Sequence, residues 1–126
     1  MLDTSVVIDI GAVDNSLLPD VTAISAITVA ELAAGPHATH DEFERAVRQH
    51  RLQWVVVRWD PLPFDGDVAR AYGLIYAAMR ASGRSGRRRF ADLLIAATAL
   101  AHSLSLYTRN PGDFDGLEQF VAIEGV

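Results

Sequence analysis

Four acidic residues, Asp3, Glu31, Asp92 and Asp113, each stand where an apolar stretch meets a turn or the start of a helix. That placement restricts the fold. An ionised carboxylate set in apolar sequence is costly to bury unless it caps a helix, pairs with a base or shares a cation. In a parallel α/β sheet, strand ends and helix starts gather along one edge, where ligands bind. Four carboxylates converging there would repel one another unless a cation neutralised them. Hard divalent cations such as Mg²⁺ or Mn²⁺ favour oxygen ligands of this kind. The pattern points to a metal-dependent enzyme acting on phosphate esters.

The rest of the chain supplies the sheet and helices such an edge needs. Met1 and Leu2 read as a very short strand, and Asp3 leads into a helix at residues 4–8. Residues 21–27 alternate apolar and small polar side chains, as a strand does. Thr28 opens a helix that fades at Gly35-Pro36, and residues 41–50 read as a charged, exposed helix. Trp54-Val55-Val56-Val57 reads as a strong strand because of its β-branched residues. The segment 65–82 has helical apolar spacing, with Val68, Tyr72, Ile75, Tyr76 and Met79 expected to face the core.

Residues 90–102 form the most apolar helix, with Leu93, Leu94, Ala97, Leu100 and Ala101 expected inside. Residues 104–108 read as a strand, Asn110 to Asp113 as a turn, and residues 120–123 as a last strand at a sheet edge. Strands separated by helices imply crossover connections. The expected fold is α/β: a three-layer α/β/α sandwich around a central, mostly parallel sheet. A chain of 126 residues without repeat or linker is expected to form one domain, 1–126.

Composition removes several alternatives. Half the residues are hydrophobic, which excludes disorder. No apolar run approaches the roughly 18 residues that span a bilayer. No signal peptide is visible, so no membrane partner and a cytoplasmic location are expected. There is no Cys, hence no disulfide, thiolate metal site or Cys nucleophile. All eleven basic residues are Arg. The lack of Lys excludes a Walker A loop and Lys-based Schiff-base chemistry. No HExxH, GxSxG or GxGxxG pattern occurs. His37 and His40 lie in a turn, His50 on an exposed helix and His102 at a helix end, without zinc-site spacing.

The net charge of −5 argues against a uniformly basic nucleic-acid surface. Charge is concentrated locally, however: Arg84, Arg87, Arg88 and Arg89 crowd into six residues just before Asp92. They read either as a solvated loop or as a phosphate-gripping lip beside a metal site.

Each acid also has a plain structural reading. Asp3 is placed to cap the helix after it. Thr28-x-x-Glu31 fits a capping box. Asp92 lies in a helical first turn, where the macrodipole favours negative charge. Asp113 is placed to cap a short turn before Leu117, with Asp115 as its substitute in the acidic set. The combination carries more weight than any member, since Asp3 and Asp92 are both embedded in apolar sequence.

These acids stand within four ordered motifs: Leu2-Asp3-Thr4-Ser5, Ile27-Thr28-Val29-Ala30-Glu31-Leu32, Ala91-Asp92-Leu93-Leu94-Ile95-Ala96-Ala97-Thr98-Ala99, and Tyr107-Thr108-Arg109-Asn110-Pro111-Gly112-Asp113-Phe114. With Pro61-Leu62-Pro63-Phe64-Asp65, they make the chain similar, nearly end to end, to the PIN-domain family and specifically to VapC-type toxins of type II toxin–antitoxin modules. The resemblance implies that Asp3, Glu31, Asp92 and Asp113 form a catalytic quartet binding Mg²⁺ or Mn²⁺. It implies that Thr4, Thr108 and Asn110 are supporting polar residues. It further implies endoribonuclease cleavage of tRNA or ribosomal RNA, a homodimer, and neutralisation by a cognate VapB-type antitoxin. Arg84, Arg87, Arg88 and Arg89 are then expected to contact the RNA backbone.

Two features depart from the family pattern. Only Met1 and Leu2 precede Asp3, where relatives usually carry further apolar residues. Arg88-Arg89-Phe90-Ala91 replaces the polar Gly-x-Asn lead into the third acid. Two other classes share parts of this pattern: a non-catalytic PIN-like module that binds RNA or protein, and a structure-specific DNA nuclease. Response to chelator separates the first from the nuclease, and matched RNA and DNA substrates separate the second.

Overall fold

The computed structural model describes residues 1–83 and 90–126, so Arg84, Arg87, Arg88 and Arg89 lie outside the described residues. At the centre, strands β1 (Leu106–Thr108) and β2 (Ile123–Gly125) pair in parallel, with Leu106 opposite Ile123 and Thr108 opposite Gly125. The N-terminal segment runs along the other side of β1. A parallel bridge joins Leu2 to Tyr107, and the Asp3 amide donates to the Tyr107 carbonyl at 2.9 Å. Next, the Leu2 amide donates to the Ala23 carbonyl at 2.8 Å, and a further parallel bridge joins Ser25 to Leu62. The order across the centre is therefore Leu62, Ala23–Ser25, Met1–Asp3, β1, β2.

Five α-helices flank these segments among the described residues: α1 (Thr4–Ile8), α2 (Ala26–Ala34), α3 (Glu42–Arg58), α4 (Gly66–Ala81) and α5 (Phe90–Ala101). The two-residue period of extended chain sorts side chains onto opposite faces. Met1, Leu106 and Ala23 pack with Val68, Ile75 and Met79 of α4 and Ile95 of α5. Their neighbours Leu2, Tyr107 and Ile24 pack instead with Val6 and Val7 of α1, Leu32 of α2 and Val55 of α3. The result is the expected α/β arrangement of two helical layers around a parallel centre. Among the described residues no helix is long and apolar enough to cross a membrane.

The strand expected at Trp54–Val57 is instead the last part of α3. Asp41 caps that helix by accepting from the Glu44 amide, and Glu42 and Glu44 lie in its first turn. Val55 is fully buried while Val57 is 86% exposed, although both would share one face of a strand. Local β-propensity loses here because the helix has one apolar stripe to bury and a capped start. Trp54 and Trp59 meet edge to face with ring centroids 5.5 Å apart.

Other boundaries shift. The strand expected over residues 21–27 is cut short, because α2 begins at Ala26 after the Ser25 cap. The last strand lies at Ile123–Gly125 rather than at residues 120–123. Leu117 and Val121 anchor a turn there, in which the Phe120 and Val121 amides both donate to the Leu117 carbonyl. On α4, Tyr76 is about half exposed rather than inside. On α5, Leu93, Leu94, Leu100 and Ala101 are only partly buried, while Ala96, Ala97 and Ala99 are fully buried. Small side chains let α5 approach α4 closely.

Candidate active site

Asp3 ends the N-terminal extended segment and caps α1, which fixes it at the edge where parallel strands finish. Its Oδ1 accepts from the Val6 amide at 3.0 Å and the Ser5 hydroxyl at 2.6 Å. Its Oδ2 accepts from the Thr108 hydroxyl at 2.5 Å. The side chain is buried, and these three donors offset the cost of burying its charge. Helix capping, the plain reading of Asp3, therefore holds, and it also fixes the direction in which the carboxylate faces.

The same hydroxyls tie in the loop after β1. Thr108 Oγ1 accepts from the Asn110 amide at 3.0 Å, and Ser5 Oγ accepts from the Arg109 amide at 3.0 Å. Asn110 precedes a 3₁₀ turn over Pro111–Phe114, held by buried Phe114. Asp113 is exposed within that turn rather than capping it. Asp92 lies in the first turn of α5 and is 6% exposed.

Glu31 reaches the site from α2. The capping box expected between Thr28 and Glu31 is not formed. Ser25 is the cap, accepting from the Thr28 amide at 3.1 Å, and Glu31 Oε1 instead accepts from the Thr4 hydroxyl at 2.6 Å. A carboxylate that bonds across to α1 is no longer available to its own helix end. Beside this pair opens a cavity of about 360 Å³, lined also by Glu44, Arg48 and Arg51 of α3.

The structure thus forms two hydrogen-bonded groups at adjacent residues: Asp3 with Ser5, Thr108 and, through Thr108, the Asn110 amide, and Thr4 with Glu31 and Thr28. Asp92 and Asp113 come from α5 and from the turn packed against it. Sequence reasoning missed Ser5 and Ser25, and read Thr28 as the capping-box partner of Glu31. The hydroxyl two residues after the Asp3 cap was the available signal for Ser5. The donor set of carboxylates and hydroxyls is chemically suited to a hard divalent cation. Among the described residues, however, no three His, Asp or Glu side chains converge closely enough to hold a metal ion.

Comparisons with known proteins agree with this fold. The PIN-domain family model matches residues 1–117. The chain is 35% identical to the Mycobacterium tuberculosis protein named Ribonuclease VapC5 over 127 residues, covering 98% of this chain and 91% of that one. It superposes with a TM-score of 0.85 and 36% identity on a chain of the M. tuberculosis toxin–antitoxin structure VapBC-5, covering 99% and 94% of the two chains. A chain of FitAcB from Neisseria gonorrhoeae gives a TM-score of 0.74 at 32% identity, with 97% and 94% covered. The chain belongs to the PIN-domain family, among the VapC-type toxins of toxin–antitoxin modules.

Proposed function

We propose that this chain is the ribonuclease toxin of a toxin–antitoxin pair, a Mg²⁺- or Mn²⁺-dependent endoribonuclease acting on tRNA or ribosomal RNA. The observation that carries the reading is the buried Asp3 carboxylate, held by three donors beside the Thr4–Glu31 pair. The relative named Ribonuclease VapC5 supports the choice of RNA.

Asp3, Asp92 and Asp113 would hold the cation, which requires their side chains to draw closer together than the described residues place them. When bound, Mg²⁺ or Mn²⁺ supplies the positive charge that stabilises phosphodiester hydrolysis. The chain's own residues do the remainder. Ser5, the Val6 amide and Thr108 keep Asp3 oriented before substrate arrives. Glu31 has one oxygen fixed by Thr4, while its other oxygen accepts no hydrogen bond among the described residues and can take a proton from the attacking water. In-line attack by water leaves a 5′-phosphate and a 3′-hydroxyl. Arg48 and Arg51 border the adjoining cavity, and the Arg84–Arg89 segment is proposed to grip the RNA backbone.

Solved relatives such as VapBC-5 are toxin–antitoxin assemblies. By the same likeness this chain is proposed to pair with a cognate VapB-type antitoxin and to form a homodimer. The lack of three converging ligands among the described residues favours one second reading, a module that binds RNA without cutting it.

The deciding experiment incubates the purified chain with RNA and with matched DNA, in Mg²⁺ or in chelator. Cleavage of RNA alone, abolished by chelator, is the expected result. RNA binding with no cleavage in either condition supports the binding module, and cleavage of DNA overturns the choice of substrate.

A further inference from the structure

Four side chains run in a line from the cap of α2 to Glu31. Ser25 and Thr28 are fully buried, and their hydroxyl oxygens lie 3.4 Å apart. The Thr28 and Thr4 hydroxyl oxygens are 3.1 Å apart, and Thr4 Oγ1 is 2.6 Å from Glu31 Oε1. A hydroxyl has one proton to give, and an ionised carboxylate can only accept. The Thr4 proton therefore goes to Glu31. The proton in the Thr4–Thr28 contact must then come from Thr28, and the one between Thr28 and Ser25 from Ser25. Ser25 in turn accepts from the Thr28 amide at 3.1 Å. Every proton along the line points towards Glu31.

We infer that Thr28 is a positioning residue for Glu31, acting through Thr4. This inference rests on the ribonuclease reading of the site. A threonine hydroxyl rotates among staggered wells, and in several of them Thr4 would not face Glu31. Donation from buried Thr28 occupies a Thr4 lone pair and leaves the Thr4 proton directed at the carboxylate. Chains of this kind strengthen their members. Since Thr4 makes the one hydrogen bond to the Glu31 carboxylate among the described residues, its orientation governs where Glu31 stands. Thr28 itself touches neither RNA nor cation.

A buried β-branched residue also serves as packing, and valine fills nearly the same space. The test compares Thr28→Val with Thr28→Ser in the full chain, with kcat and KM measured on RNA and folding checked by thermal melting. Thr28→Val is expected to lower kcat about tenfold with KM unchanged, and Thr28→Ser to stay within about twofold of wild type. In a Glu31→Gln background, Thr28→Val should have no further effect on the residual rate, because the residue it positions is already disabled. Should Thr28→Val fail to fold, Thr28→Ala carries the same expectations. Wild-type kcat in the valine or alanine variant overturns the inference and leaves the ribonuclease reading intact. So does equal loss in the valine and serine variants, or an undiminished effect in the Glu31→Gln background. A wild-type chain that cuts no RNA overturns the reading on which the inference rests.

Discussion

Thr108 donates its hydroxyl proton to Oδ2 of Asp3 at 2.5 Å, across 105 positions of sequence. That bond fastens the end of β1 to the start of α1 and satisfies half of a buried carboxylate. Thr108→Val keeps the shape and removes the donor. It is expected to lower stability by about 1–3 kcal/mol, the cost of leaving a buried acceptor unpaired. Urea unfolding measures this, and a loss under about 0.5 kcal/mol would show that the bond is not holding the site.

Asp3→Asn separates charge from geometry. The amide oxygen can still accept from the Val6 amide and the Ser5 hydroxyl, so α1 retains its cap. RNA cleavage should fall by about 100-fold or more, because the negative charge is gone. A variant that melts like wild type and cuts RNA at the wild-type rate removes Asp3 from the catalytic set.

Cation binding should be visible without any substrate. Added Mn²⁺ is expected to raise the thermal midpoint, since a ligand that prefers the folded state stabilises it by mass action. The shift should disappear in Asp3→Asn and in Asp92→Asn. A midpoint indifferent to millimolar Mn²⁺ would count against a resident cation.

The helical course of α3 makes Val55 and Val57 unequal. Val55→Ala should cost roughly 2 kcal/mol, as for a buried truncation. Val57→Lys should fall within about 0.5 kcal/mol, because that side chain is mostly in water. A strand would give the two positions similar penalties, so equal costs would contradict the structure.

Three arginines, Arg45, Arg48 and Arg51, are spaced by three along α3. Arg45 donates to the Pro36 and Thr39 carbonyls, and Arg48 to the Gly35 carbonyl and to Glu44. Arg51 makes no hydrogen bond or ion pair among the described residues and lines the cavity next to Glu31. Arg51→Glu is expected to raise KM for RNA about tenfold and to flatten its salt dependence. Cleavage kinetics at two salt concentrations check both, and an unchanged KM would place the RNA elsewhere.

Much of this architecture could be read directly from residue order. Apolar spacing located α4 and α5 to within two residues, because a helix buried on one side must repeat its pattern every three to four positions. Asp3 was legible as a cap because it is a short acidic residue placed directly before the helical run Thr4–Ile8. Trp54–Val57 misled, since four residues of β-branched and aromatic character carry less weight than a long capped helix whose packing depends on distant partners. Thr28 and Glu31 misled in another way. Their spacing satisfies a capping box, but Glu31 finds a donor on α1 that no local pattern announces.

Sequence by itself determined the course of α4 and α5 and the family to which the chain belongs, because each is written in local spacing and residue type. Only tertiary structure decided which hydroxyl serves which carboxylate. Those bonds close between segments far apart in the chain, where burial, and not sequence proximity, selects the partner.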